Sequence, residues 1–96
     1  MGQYGITTIG VFRAPNSFFL RNSNTSGNAD YNISASFVQS GDVPVVGDWD
    51  GDGVTTIGVY RSPGFWFLRN TNTSGSYDIT FSFGSAGDKP LVGRWQ

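Results

Sequence analysis

The chain has 96 residues, a formal net charge of −1, and neither histidine nor cysteine. A balance so near neutral excludes the basic footprint of a nucleic-acid-binding protein, and the missing residue types exclude disulfides, thiolate chemistry, zinc-finger ligand sets and histidine-based triads. All seven acidic residues are Asp, and Gly, Ser, Thr, Asn and aromatics crowd out Leu and Ala, which is a composition of strands and turns and not of helices.

The elements come in two copies. Thr7-Thr8-Ile9-Gly10-Val11-Phe12-Arg13 returns as Thr55-Thr56-Ile57-Gly58-Val59-Tyr60-Arg61, and Phe19-Leu20-Arg21-Asn22 returns as Phe67-Leu68-Arg69-Asn70. Gly41-Asp42-Val43-Pro44-Val45-Val46-Gly47-Asp48-Trp49 returns as Gly87-Asp88-Lys89-Pro90-Leu91-Val92-Gly93-Arg94-Trp95. The offset is 48 residues early in the unit and 46 later, which reads as a two-residue loop insertion at Asn28-Ala29. A repeat of this length marks a propeller or array, whose units bury their faces only against each other.

In chain order, the first copy spans residues 6–38 and holds the second, third and fourth strands of a unit. The second copy spans 43–84 and is complete. Its first strand, 43–49, is apolar on both faces and reads as buried. Asp50-Gly51-Asp52-Gly53 is a tight turn. The β-branched run 55–61 is the second strand, where Gly58 suggests close approach of a neighbouring sheet. After Ser62-Pro63-Gly64 comes an aromatic third strand, 65–70, and after Asn72-Thr73-Ser74-Gly75 a fourth. In that strand Tyr77, Ile79, Phe81 and Phe83 alternate with polar residues, giving one buried and one wet face. Residues 90–96 open a further unit as a lone first strand.

Four antiparallel strands per repeat is the unit of a β-propeller blade. A β-sandwich of two sheets has the same strand count. The apolar first strand, the amphipathic fourth strand and the staggered ends favour an all-β chain of two propeller blades. Two blades leave apolar faces open, so identical chains are expected to close a ring by homo-oligomerisation. A tetramer of eight blades is favoured over a trimer of six. The assembly strand carries Leu91, Val92 and Trp95 and is expected to pair with residues 7–13 of the next copy. The chain reads as a fragment of a longer array or an engineered unit. No signal segment precedes the first repeat, and no apolar run of about 18 residues predicts membrane insertion.

The sharpest chemical motif is Asp48-Trp49-Asp50-Gly51-Asp52-Gly53. Alternating acids followed by glycines gather hard oxygens around one point, as a calcium loop does, with the Val54 backbone carbonyl and the Thr56 hydroxyl as further donors. The same residues also suit an Asx-turn that caps backbone amides. The counterpart after Arg94 has lost its acids, so one loop per chain is expected.

Gly47-Asp48-Trp49-Asp50-Gly51-Asp52-Gly53 followed by Thr55-Thr56-Ile57-Gly58-Val59-Tyr60-Arg61 resembles the FG-GAP/VCBS class of bacterial repeats, related to the calcium-bearing blades of integrin α-subunit propellers. The resemblance implies a propeller in which the Asp loop joins the innermost strand to the second. It implies calcium at Asp48, Asp50 and Asp52. It also implies a secreted or cell-surface parent protein acting in adhesion, carbohydrate binding or scaffolding.

Arg13, Arg61, Arg21 and Arg69 end matched strands. They suit an anion clamp between blades, or stacking on an aromatic beside a neighbouring Asp. Trp66 and Phe65 differ between the copies, which fits a rim position and a ligand groove for a glycan or protein. Trp49 and Trp95 sit at matched inner-strand positions and read as core. Asp42 and Asp88 precede matched prolines, which fits a shared turn role better than a glycosidase pair. The reading is a non-enzymatic, self-assembling scaffold. The alternative is a calcium-associated, lectin- or adhesion-like extracellular module.

Overall fold

The computed structural model describes residues 5–95. Strands β1 (Gly10–Arg13), β2 (Ser17–Leu20) and β3 (Tyr31–Ser34) form one antiparallel sheet in the order β1-β2-β3. Strands β4 (Val43–Gly47), β5 (Thr56–Arg61), β6 (Phe65–Leu68) and β7 (Ile79–Ser82) form a second, in the order β4-β5-β6-β7. The protein is all-β, with no helix among the described residues. Each sheet is a meander of neighbours in sequence, and the β1–β2 and β5–β6 turns each carry a cis proline, Pro15 and Pro63.

The two sheets pack face to face. Phe18, Leu20 and Ile33 of the first bury themselves against Ile57 and Val59 of the second, with Phe12, Val46 and Phe67 at the margin. Ala35 and Phe37, from the segment linking the sheets, complete this core. At one margin the sheets are also tied backbone to backbone, by Gly75 N to Ser34 O at 3.1 Å and Ser36 N to Gly75 O at 3.2 Å. Because side chains alternate along a strand, the opposite face of the second sheet gathers Val45, Tyr60, Trp66 and Leu68 into a separate cluster. The second sheet is therefore apolar on both faces. The outer face of the first sheet carries Val11, Arg13, Phe19 and Asn32, opposite in the pleat to Phe12, Phe18 and Ile33.

Four sequence expectations change. The strand buried along its length is β5, not the first strand of the repeat: β4 lies at a sheet edge, and its Val43 and Pro44 are exposed. Gly58 is dictated by its own sheet, since a Cβ there would lie 2.6 Å from Leu68 Cδ2 and 2.9 Å from the Phe67 carbonyl. The insertion is not at Asn28-Ala29. Asp30 N bonds Leu20 O and Asp78 N bonds Leu68 O, both at 2.8 Å, and Phe19 pairs Asn32 as Phe67 pairs Thr80. The 48-residue offset thus holds through β3 and β7, and the two extra residues fall in the link that supplies Phe37. Finally, residues 89–95 form no strand in the single chain. They cross the far face of the second sheet, where Leu91, Val92, Gly93 and Trp95 line a cavity with Trp66, Leu68 and Phe81. Gln96 lies outside the described residues.

Candidate functional site

The second repeat shows how the first strand of a unit is held. β4 pairs with β5 in the register Pro44 to Val59, Val45 to Gly58, Val46 to Ile57 and Gly47 to Thr56. The Trp49 ring folds back over Gly47, where a Cβ would meet it at 2.7 Å, and its Nε1 donates to Ile57 O at 3.1 Å. Thr56 is buried and its hydroxyl donates to Gly47 O at 3.4 Å. Arg61 forks onto both carboxylate oxygens of Asp42 at 2.8 Å, donates to Phe37 O at 2.7 Å, and stacks over the Phe67 ring. The Asp42 side chain is fully buried in this pair. The charge-assisted fork also raises the Arg61 pKa above its ordinary value.

The first repeat has the same residues without the partner. Among the described residues no strand pairs with the free edge of β1. Arg13 stacks over Phe19 as Arg61 does over Phe67, yet it has no ion pair among the described residues. Thr8, the counterpart of Thr56, is 6% exposed and its hydroxyl finds no partner among the described residues. Beside β1 lies a cavity of about 210 Å³, walled by Gly10, Val11, Phe12, Phe18, Leu20 and residues 44–46.

The C-terminal segment has the opposite character: it keeps a first strand's local shape without an edge to join. Trp95 folds over Gly93 at 2.8 Å, as Trp49 does over Gly47. Asp88 accepts from Ser85 N at 2.8 Å as Asp42 accepts from Gln39 N, which is the turn role expected of this pair. Leu91 is 78% exposed and Trp95 77%. Trp95 is thus not core within one chain.

The acidic turn brings three carboxylates together at the surface. Asp48, Asp50 and Asp52 each place an oxygen within 4.8 Å of the others. Asp48 is also an Asx cap: its carboxylate accepts from Gly51, Asp52 and Gly53 N at 2.8–3.1 Å. The Gly53 bond, ahead of the others, holds its pKa below the ordinary carboxylate value. Desolvation first, then the neighbouring acids, push Asp50 up. The donor set suits a hard cation such as calcium, which would offset the repulsion that the neighbouring acids exert on Asp50. Val54 gives its N–H to Asp52 Oδ1 at 2.9 Å, and the Thr56 hydroxyl proton is engaged by Gly47 O rather than free at the turn.

The other candidates separate. Arg21 binds its own loop through Thr25 Oγ1 at 2.8 Å and Asn28 O at 2.6 Å, with Asp30 at 3.6 Å. Arg69 does the same through Thr73 Oγ1 at 2.7 Å and Asp78 at 3.2 Å. Both follow the stacking-and-pairing pattern in its ion-pair half: their terminal guanidinium nitrogens are spent on their own loops, while each Nε is buried without a partner among the described residues. Trp66 is not at a rim: it is 8% exposed, stacks on Phe81, meets the Tyr60 ring at a tilt, and donates to Phe83 O. Its neighbour Phe65, pointing the other way along the strand, is exposed. Sequence reading missed Thr8, which carrying the Thr56 position back by its 48-residue offset would have marked. No family model, curated protein or solved structure matches the chain.

Proposed function

We propose that the chain is a non-enzymatic β-propeller unit that self-assembles head to tail into a closed ring, eight blades from four copies. The observation that carries this reading is the sheet–sheet interface inside one chain. Its second-sheet half is Ile57, Val59 and Phe67, and the outer face of the first sheet repeats it as Ile9, Val11 and Phe19. Its first-sheet half is Phe12, Phe18 and Leu20, and the far face of the second sheet repeats it as Tyr60, Trp66 and Leu68. One end of the molecule therefore complements the other. A pair of different, complementary patches is a heterologous interface, which closes into a ring when the rotation permits. In a two-sheet sandwich these outer faces would be polar; here Ile9, Val11, Phe81 and Phe83 are exposed, a patch that calls for a partner.

Calcium at Asp48, Asp50 and Asp52 is an accessory in this reading, one ion per chain. The extracellular setting follows from the resemblance of residues 47–61 to FG-GAP/VCBS repeats. The lectin-like alternative would use the cavity of about 660 Å³ over the first sheet, lined by Val11, Arg13, Phe19 and Arg21. In the ring a neighbouring second sheet covers it. Light scattering after size exclusion, with calcium and with chelator, tests the proposal. A particle four times the 10.4 kDa chain is expected in both buffers. A trimer would keep the ring and change its blade count. A monomer across micromolar concentrations would overturn the reading.

A further inference from the structure

We infer that the joint between copies is an exchanged strand, locked by an Asp88–Arg13 ion pair and a Leu91 plug, with Thr8 as its buried hydrogen-bond donor. The inference rests on the assembly reading above and specifies the contacts that make it.

Four features of the first sheet await the same object. The edge of β1 is open where β5 carries β4. The Thr8 hydroxyl is buried without a partner among the described residues, and buried polar groups are seldom left so. Arg13 lacks the carboxylate that Arg61 grips. The cavity beside β1 has walls that match the seat of a β4 side chain: Val45, the β4 residue paired with Gly58, packs on Tyr60, Trp66 and Leu68, and the cavity is lined by their counterparts Phe12, Phe18 and Leu20 beside Gly10, with residues 44–46 opposite.

Residues 88–95 supply all four. Carrying the β4–β5 register back by the repeat offsets sets Pro90 opposite Val11, Leu91 opposite Gly10, Val92 opposite Ile9 and Gly93 opposite Thr8. Leu91 then enters the cavity. Gly93 O receives the Thr8 hydroxyl, as Gly47 O receives that of Thr56. Asp88 reaches Arg13 as Asp42 reaches Arg61, and Trp95 Nε1 reaches Ile9 O as Trp49 Nε1 reaches Ile57 O. One chain cannot make this joint with itself. Its β1 belongs to the sheet on one side of β4–β7, while Leu91 and Trp95 line a cavity on the other side with Trp66 and Leu68. The occupant is a second copy.

The test is charge reversal in the full chain, read by light scattering, with circular dichroism to confirm folding. Arg13→Asp and Asp88→Arg are each expected to weaken association at least tenfold. The double variant is expected to restore it. Asp88→Arg also loses the cap on Ser85 N, but the double variant loses it too, so rescue isolates the ion pair. An equal mixture of the two single variants pairs opposite charges only in alternation. It restores a ring with an even number of copies, and restoration by the double variant alone marks an odd ring with the same joint. If a single variant fails to fold, Leu91→Ser, at an exposed position, is expected to disassemble the ring with the chain intact. Single variants that assemble like the parent, or a folded double variant that stays dissociated, overturn the joint while leaving assembly standing. A monomeric parent chain overturns the assembly reading itself.

Discussion

Arg61 and Arg13 occupy matched positions with opposite fates. The first is clamped to a fully buried Asp42; the second is exposed over Phe19 with no carboxylate among the described residues. The contrast recurs between Trp49 and Trp95, Val45 and Leu91, and Thr56 and Thr8. Matched residues are covered or bonded in one repeat, exposed or unsatisfied in the other. What differs is whether a complementary strand lies alongside. Burial in an array is a property of the neighbour, so a single unit cannot be read for its core without asking what stands next to it.

The largest way to break that contrast is to remove the strand. Deleting residues 88–96 takes away Asp88, Leu91 and Trp95 together and is expected to abolish the oligomer outright. The sheet–sheet core of Phe18, Ile33, Ile57 and Val59 is untouched, so the chain should remain folded. An unchanged particle mass in light scattering would refute strand exchange.

Matched tryptophan truncations come next. Trp66→Ala opens a hole in a cluster with Tyr60 and Leu68 and should cost the fold about 3–5 kcal/mol. Trp95→Ala removes an exposed ring from the single chain and should leave urea unfolding of the dissociated chain nearly unchanged while weakening assembly. Equal stability losses in the two variants would mean that the C-terminal segment is core already in one chain.

These pairs also show what the sequence made legible. The strands, their order within each repeat and the turns follow from alternation and Gly, Pro and Asx punctuation, and the duplication marks which contacts should be shared. The fourth strand was misaligned because identity, Tyr31 with Tyr77 and Ile33 with Ile79, outweighed a local bond. Asp30 and Asp78 each lie eight residues after an Asn whose N–H they accept, and that spacing was the better guide. Trp66 departs from its expected place for a different reason. Variation between copies suggests the rim, whereas Phe18 and Trp66 are both buried and the variation is one of ring size. Which surface of the first sheet is left waiting is not in any local pattern; it follows only from tracing the faces through the pleat.

The acidic turn sharpens the contrast at a smaller scale, since only one repeat carries it. Asp48, with its pKa lowered chiefly by Gly53 N, contributes stability that is full above its unfolded value and is lost as pH falls through its folded one. Asp50, raised chiefly by desolvation, has the opposite sign: its penalty grows as pH rises through its folded value. Asp50→Asn in chelator should therefore melt at or slightly above the parent at pH 7, with the gap closing by about pH 3 as the parent carboxyl protonates. Added calcium should raise the parent melting temperature more than the variant's. A pH-independent difference, or equal calcium responses, would remove Asp50 from the cluster's electrostatics.

The smallest effect discriminates most finely, because it concerns a single hydroxyl. Thr8 and Thr56 sit at the same repeat position, and Val replaces either with similar shape. In Thr56→Val the chain loses the bond to Gly47 O, which at 3.4 Å is long, so the cost should be at most about 1 kcal/mol. In Thr8→Val the dissociated chain loses only a buried hydroxyl without a partner among the described residues. Its stability should be unchanged or slightly higher. In the ring the same substitution removes the bond to Gly93 O of the neighbour, so assembly should weaken by up to about fivefold. A variant that leaves the chain alone and loosens the ring follows only if the hydroxyl's partner belongs to another copy. If Thr8→Val instead destabilises the dissociated chain as much as Thr56→Val does, the hydroxyl already has a partner at home and the exchanged strand loses one of its four supports.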